Sequence, residues 1–533
     1  DEPFLERKLT GKRLLSVSRE MLNRTTLFGV IYMMEKDSKI LKRINDELVT
    51  VCKFSDWNPS HYLDVAEMST AVAFALDWTA GDLPDSTKEL ALNALIEKGI
   101  NPSYEKPQGW INGTHNWNQV CNGGMIAASI AIAEKDPELA AKTINRSLEG
   151  MPHALVKYNP DGVYPEGSTY WDYGTSYTII TIEMLKSAFN ADFDLSDFPG
   201  FLKSAYFKVL CDAPSGMYFN FSDCGDGRNN IGNFNLAWFA SRMGKEIFFE
   251  KERFLLPAEE MTNLPRLAAP ALVWISQFEP KNKEAFPTAW KGEGDNPIVI
   301  FNGGENDQHH YYFGGKGGKA TNNHGNMDAG SFVFELNGVR WVVDPGNQSY
   351  YELEKTGFDL WCKDQNCQRW TLITKNNFGH STISVNNQLF INKGFAPLLT
   401  FEDRINPSAS FDLTEVYGKN LKKAIRSFEK DSPTSLLITD QFEISQTTET
   451  ITWQLITTAD VEIIQGGAIL HQDSKELRIE NISHPNLTFS VISLDPAPLK
   501  LDRQIEGLKR IELRIPVWTL ETGKGEIKIR LTE

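Results

Sequence analysis

The spacing of apolar residues changes character once along the chain. Up to about residue 280 it is helical: HYLDVAEMSTAVAFALDWTA (61–80), STKELALNALIEKG (86–99), MIAASIAIAEKDPELAAKTINRSLEGM (125–151) and YTIITIEMLKSAFN (177–190) place apolar residues three and four apart. The punctuation GDLPDS, KDPE and DFPG predicts antiparallel helices joined by tight turns, in the manner of a helical solenoid or toroid. Beyond about residue 295 the period falls to two, in SFVFEL, VRWVVD, STISVN, SLLITDQFEI, ETITWQLIT, KELRIEN, LTFSVISL, KRIELRI and GEIKIRLTE, with NG, GG, DS and NN turns between them. Strands this numerous with almost no helix among them predict an antiparallel sandwich. Both patterns lapse in FEPKNKEAFPTAWKGEGDNP (278–297), so the expected domains are a helical one over 1–285 and a β-sandwich over 296–533.

Composition narrows the function. With 533 residues the chain exceeds one ordinary core, and 41% hydrophobic with 23% charged residues is the balance of a soluble globular protein. No run of about 18 apolar residues occurs, so no membrane span is expected. A formal charge of −16 argues against a nucleic-acid partner, and an acidic ligand would need a locally basic site. The chain begins at DEPFLERKL without an initiator Met or an apolar leader, which suggests a processed or trimmed form. Six cysteines are too few for a disulfide scaffold; Cys362 and Cys367, in CKDQNC, either close a small loop in an oxidising compartment or stay free thiols.

Three polar clusters interrupt the structural pattern. In WINGTHNWNQVCNGG (110–124), His115, Asn116, Asn118 and Asn122 crowd a helix entrance, where Asn also serves simply as a cap and Trp110 and Trp117 as core. In YNPDGVYPEGSTYWDYGTSY (158–177), Tyr164, Tyr170, Tyr173, Tyr177 and Trp171 could stack on sugars or merely pack. In NNHGNMDAGSFVFELNGVRWVVDPG (322–346), His324 stands at a strand mouth and Asp344 at the next strand's end, with His380 following in NNFGHSTISV. Each is weak alone, since isolated histidines are mostly surface or satisfied core residues.

Together, HNWNQVCNGG, PEGSTYWDYG, HGNMDAGSFVFELNGVRWVVDPG and GHSTISV resemble, in that order, the heparinase II/III superfamily of polysaccharide lyases. The resemblance implies an N-terminal incomplete (α/α) toroid followed by a C-terminal antiparallel β-sandwich. It also implies β-elimination from a uronic-acid polysaccharide, such as a glycosaminoglycan. Such a reaction must first neutralise the sugar carboxylate, because proton abstraction beside it creates a second negative charge; preorganised Asn or His donors do this well. An acid and a base must then reach the leaving oxygen and the proton. By resemblance, Asn116 or His115 holds the carboxylate, Tyr170 is acid and also base, and His324 is the other proton-transfer group, with Tyr173 the reserve tyrosine. These residues come from both domains, so a cleft at their junction is expected. Trp117, Glu166, Tyr173, Lys316, Lys319 and Arg369 are expected to bind substrate, with Arg228 and Arg340 as further sources of positive charge.

The family pattern His-x-His-x-Asp-x-Gly also implies a structural zinc held by its second His, a strand-end Asp and a later His. Here those positions are Asn326, Asp344 and His380. An amide oxygen is a poorer zinc ligand than imidazole, so calcium, a weakly held ion or a hydrogen-bond network stand beside zinc as readings. No organic cofactor is expected, and the oligomeric state is not legible. A polymeric substrate implies a periplasmic or secreted protein. Two other functions compete: a toroid glycoside hydrolase using Glu166 and Asp172 as paired carboxylates, and a non-catalytic carbohydrate-binding relative.

Overall fold

A computed structural model describes residues 2–533 except 80, 228–231, 249–256, 258, 261–264, 277, 280–283, 305 and 521. The chain forms two compact units, one of Asp1–Lys157, Tyr170–Ala205 and Asn229–Glu284, the other of Tyr158–Thr169, Tyr206–Arg228 and Ala285–Glu533.

The first unit is helical: α1 (Leu15–Glu35), α2 (Ser38–Cys52), α3 (Tyr62–Thr79), α4 (Asp85–Ala94), α5 (Pro102–Glu105), α6 (Asn116–Ile132), α7 (Pro137–Gly150), α8 (Pro152–Leu155) and α9 (Ser168–Phe189). Nearly every residue of α3 and α6 is buried, whereas α2 and α7 bury one face, so the helices form an inner row backed by an outer one. Along that series α1 packs on α3, α3 on α6 and α6 on α7. The apolar run 125–151 is two helices, divided where Asp136 caps α7 by accepting from the Leu139 amide and Pro137 opens its first turn. Helices α6 and α9 begin well upstream of their apolar runs, because the polar motifs themselves form their first turns.

Two glycines let α6 sit deep in this unit. A Cβ at Gly124 would lie 2.6 Å from the Ala66 carbonyl oxygen on α3, and one at Gly123 would lie 2.7 Å from Thr181 Oγ1 on α9. Beside them α3 buries Glu67, whose carboxylate accepts from Arg19 Nε (3.0 Å), Arg266 Nε (2.8 Å) and the Tyr173 hydroxyl (2.9 Å). Burial would raise the Glu67 carboxyl, but the two guanidinium groups hold it below the usual range.

The second unit is antiparallel sheet. One five-stranded sheet runs in chain order through β1 (Ala289–Gly292), β2 (Ile298–Asn302), β3 (Tyr312–Lys316), β4 (Phe332–Leu336) and β5 (Val339–Val342). An eight-stranded sheet is centred on Lys524–Thr532, Ser435–Ile444 and Leu421–Ser432, and a four-stranded one on Lys509–Pro516 and Thr450–Thr457. Their inner faces share one core that includes Phe313, Phe334, Phe428, Ile438, Trp453 and Ile529. Helices ahead of an antiparallel sandwich are thus the observed order, and the alternating segments read from the sequence are its strands.

Two boundaries differ from the sequence reading. The stretches 158–169 and 206–228, counted as helical domain, cluster with the sheets. They are tied there by hydrogen bonds: Asn296 Nδ2 donates to the Pro165 carbonyl at 2.6 Å, and the Tyr312 hydroxyl to the Leu210 carbonyl at 2.8 Å. Part of the expected linker is strand β1, while residues 280–283 of it lie outside the described residues. The segment YFGGK is strand β3, where the Phe219 ring fills the space of a Cβ on Gly314 and the Phe313 ring that of one on Gly315.

Candidate active site

The second unit builds a charged cluster around His324. The loop bearing it is a tight turn in which the Gly325 amide donates to the Asn322 carbonyl at 2.9 Å, while Asn322 Nδ2 donates to the Asp295 carbonyl at 2.7 Å and Asn296 Oδ1 at 2.8 Å. His324 itself has φ +53°, a left-handed conformation that costs a non-glycine residue roughly 1–2 kcal/mol. Strain of this kind persists only where the surroundings impose it.

What imposes it is a hydrogen-bonded set. His324 Nδ1 lies 3.1 Å from Asp223 Oδ2 and 3.0 Å from the Tyr350 hydroxyl, and that hydroxyl donates to the same Asp223 oxygen at 2.8 Å. With the phenolic proton on Asp223, Nδ1 is the N–H donor. Glu166 Oε2 stands 3.7 Å from Nε2, and Asn323 Nδ2 holds Glu166 Oε1 at 2.8 Å. The imidazole keeps 12% of its side chain exposed, whereas Glu166 and Asp223 are buried.

The charges set the protonation states. Burial alone would raise the Asp223 carboxyl, but Lys375, in direct contact with Oδ1, and Arg369, 3.5 Å away, hold it well below the usual carboxylate range. Glu166 moves the other way: burial raises it, and His324 and Asn323 only partly offset that. Lys363 donates to the Asn322 carbonyl at 2.6 Å, bracing the His324 turn, and burial pushes its ammonium down to about 8.

The other expected site residues fall into two groups. In the first unit, His115 is the N-cap residue of α6 and Asn116 its first residue; Tyr170 lies in the first turn of α9, and half-buried Trp117 meets the His61 ring edge-on at 4.7 Å. Asn118 instead turns back on the main chain, its Nδ2 donating to the Ile111 and Gly150 carbonyls. Tyr173 is half-buried with its hydroxyl engaged by Glu67, and burial together with that carboxylate raises its pKa, which unfits it as a reserve base. Tyr164, Trp171 and Tyr177 are core residues, so no broad tyrosine stacking surface exists among them.

Several expected cations prove structural. Lys316 is buried against Asp328 at 2.5 Å, since it ends strand β3, and Arg340 is buried against Glu335 at 2.5 Å. Arg369 is buried too, donating to the Leu360 and Gly325 carbonyls and to Asn326 Oδ1. All three are thus engaged by groups of this chain. Lys319 alone among these described cations keeps part of its side chain at the surface, and Arg228 lies outside the described residues.

The expected metal ligands are partly engaged by other groups of this chain. Asn326 Oδ1 accepts from the Arg369 guanidinium at 3.0 Å, Asp344 Oδ2 meets His380 Nδ1 at 2.8 Å, and Asp344 Oδ1 accepts from the Gly346 amide at 2.8 Å. A cation thus already sits against the amide oxygen, and Asp344 holds His380 Nδ1, while the buried His380 Nε2 has no hydrogen-bond partner among the described residues. Among the described residues, the only His, Cys, Asp and Glu side chains gathered closely enough to share an ion are Cys362, Asp364 and Cys367, and there the two cysteines are joined as a disulfide.

Sequence reasoning missed Asp223, Tyr350 and Lys375. Asp223 sits in SDCGDG, which reads as a turn, and it meets a histidine 101 positions away. No local pattern signals such a pairing.

The family description "Heparinase II/III-like, C-terminal" matches residues 312–506. No curated protein matches by sequence. Among solved structures, a mutant of the heparan sulfate lyase HepC from Pedobacter heparinus is 12% identical with a TM-score of 0.62, the alignment covering 99% of this chain and 78% of that one. A heparinase III is 13% identical with a TM-score of 0.62, covering 96% and 76%, and another with methylated lysines is 13% identical with a TM-score of 0.64, covering 99% and 78%. At such identities the likeness is one of fold.

Proposed function

We propose that this chain, whose residues 312–506 match the Heparinase II/III-like C-terminal family, is a polysaccharide lyase that cleaves a uronic-acid-containing polysaccharide by β-elimination. The supporting observation is His324: a partly exposed imidazole whose Nδ1 is fixed by Asp223 and whose Nε2 lies 3.7 Å from the Glu166 carboxylate.

In the reaction, Asn116 or His115 holds the uronate carboxylate, and its N–H donors take up the charge that grows as the neighbouring carbon loses its proton. Tyr170 serves as the acid. The glycosidic carbon–oxygen bond breaks, its electrons leave with the oxygen, a proton is delivered to that oxygen, and a carbon–carbon double bond remains in the uronide. His324 takes up through Nε2 the proton that leaves the carbon, and the imidazolium so formed is stabilised by Asp223 on one side and Glu166 on the other. The substrate is an acidic polysaccharide, a glycosaminoglycan being the class its fold relatives act on by name. The Cys362–Cys367 disulfide supports export to a periplasm or the exterior, where such polymers are found.

Digestion of heparan sulfate, hyaluronan, chondroitin, alginate and bacterial exopolysaccharides is expected to generate far-ultraviolet absorbance from an unsaturated uronide with at least one of them. New reducing ends without that absorbance would instead indicate hydrolysis. Tyr170→Phe is expected to abolish turnover with Glu166→Gln retaining part of it; the reverse order would favour the paired-carboxylate hydrolase. Since Arg369 occupies the amide oxygen expected to bind metal, turnover is expected to be unchanged after exhaustive dialysis against EDTA, and loss restored by zinc or calcium would reinstate the ion.

A further inference from the structure

Trp361 is not needed by the chemistry above, and its setting is unusual. Its indole is 46% exposed, yet it meets the His324 ring edge-on at 5.5 Å and the Tyr350 ring at 5.0 Å. An exposed tryptophan has no packing reason to stand against a charged cluster, and transfer of its surface from water would be favourable if something covered it.

Its position is also fixed from several sides. Trp361 Nε1 donates to Glu354 Oε1 at 3.2 Å. The next residue, Cys362, is bonded to Cys367, which closes the loop, and the one after, Lys363, is tied to the Thr321 and Asn322 carbonyls of the turn that presents His324. A flat apolar face is thereby held at a set distance from the proton-transfer imidazole. A pyranose ring offers the matching surface, a face of C–H groups with hydroxyls at its rim, and an indole binds such a face at little entropic cost because it has few rotors.

We propose that Trp361 is a sugar-stacking platform that seats the pyranose next to the one that reacts. The proposal rests on the lyase reading for its substrate class. It also explains how a site with so many structural cations could hold a sugar: through its uncharged face, with the carboxylate left to other donors.

The test uses the full chain with size-defined hexasaccharides of heparan sulfate, chondroitin, hyaluronan and alginate. Trp361→Ala is expected to raise KM roughly tenfold or more with kcat little changed, and Trp361→Phe to recover most of the loss. Trp361→Leu, which keeps apolar bulk without the aromatic face, should behave as Ala does and serves if the Ala variant folds poorly. Oligosaccharide should quench indole emission more in the wild type than in Trp361→Phe, a difference that isolates one of 13 tryptophans. A fall in kcat at unchanged KM would reduce Trp361 to a prop for Tyr350 and overturn the proposal. Trp361-dependent quenching without cleavage of any substrate would keep the platform and reject the lyase reading; cleavage without such quenching would do the opposite, and binding to none of the panel would reject both.

Discussion

Replacing His324 by Asn is expected to lower kcat by roughly 10²- to 10⁴-fold, the usual contribution of a positioned acid–base group, while oligosaccharide affinity stays near that of the wild type. Asn is chosen because the backbone there is left-handed, at φ +53°, and Asn accepts that conformation better than Ala does. Its amide can still meet Asp223 but cannot exchange a proton. Single-turnover kinetics paired with fluorescence binding would measure the two quantities separately. Equal loss of binding and rate would mean that His324 acts as a sugar ligand and that the proton moves elsewhere.

Asp223→Asn should do two kinds of damage. It removes the anion facing Lys375, a residue with no exposed surface, and breaking a buried pair in this way costs about 3–5 kcal/mol. It also lets the amide present either an oxygen or an N–H to Nδ1, so the imidazole is no longer held in one tautomer. The two effects separate in a double variant: Asp223→Asn with Lys375→Met is expected to regain most of the urea stability but little of the kcat. Full return of activity would show that Asp223 serves folding only. The pH dependence has a definite sign. Because the folded carboxyl lies well below its ordinary value, the stability it contributes is fully present above about pH 4 and fades only as pH falls toward the lower folded value.

The fold was legible where period and punctuation agree. SLLITDQFEI and KRIELRI alternate because one side of each strand faces the shared core, and KDPE parts two helices because Asp136 caps and Pro137 starts. Reading failed where a residue's meaning depends on a distant partner. Gly314 and Gly315 carry no strand signal of their own; Phe219 and Phe313 fill the missing side chains. Lys316 and Arg369 look like cations for an acidic ligand, but each is buried with a partner of this chain. His324 stands out in the sequence because its motif is local; Asp223, which meets it, does not, because nothing in SDCGDG points toward residue 324.

The glycine pair on α6 reaches further than the contacts it makes. Seven residues separate Gly123 from Asn116, about two helical turns, so the helix end that carries His115 and Asn116 is indexed mechanically by close approach to Ala66 on one flank and Thr181 on the other. A single added methyl at either position would turn or lift that shaft and swing its polar tip off target. Damaging substitutions should therefore turn up deep in oily helix interiors, remote from any group that handles a proton.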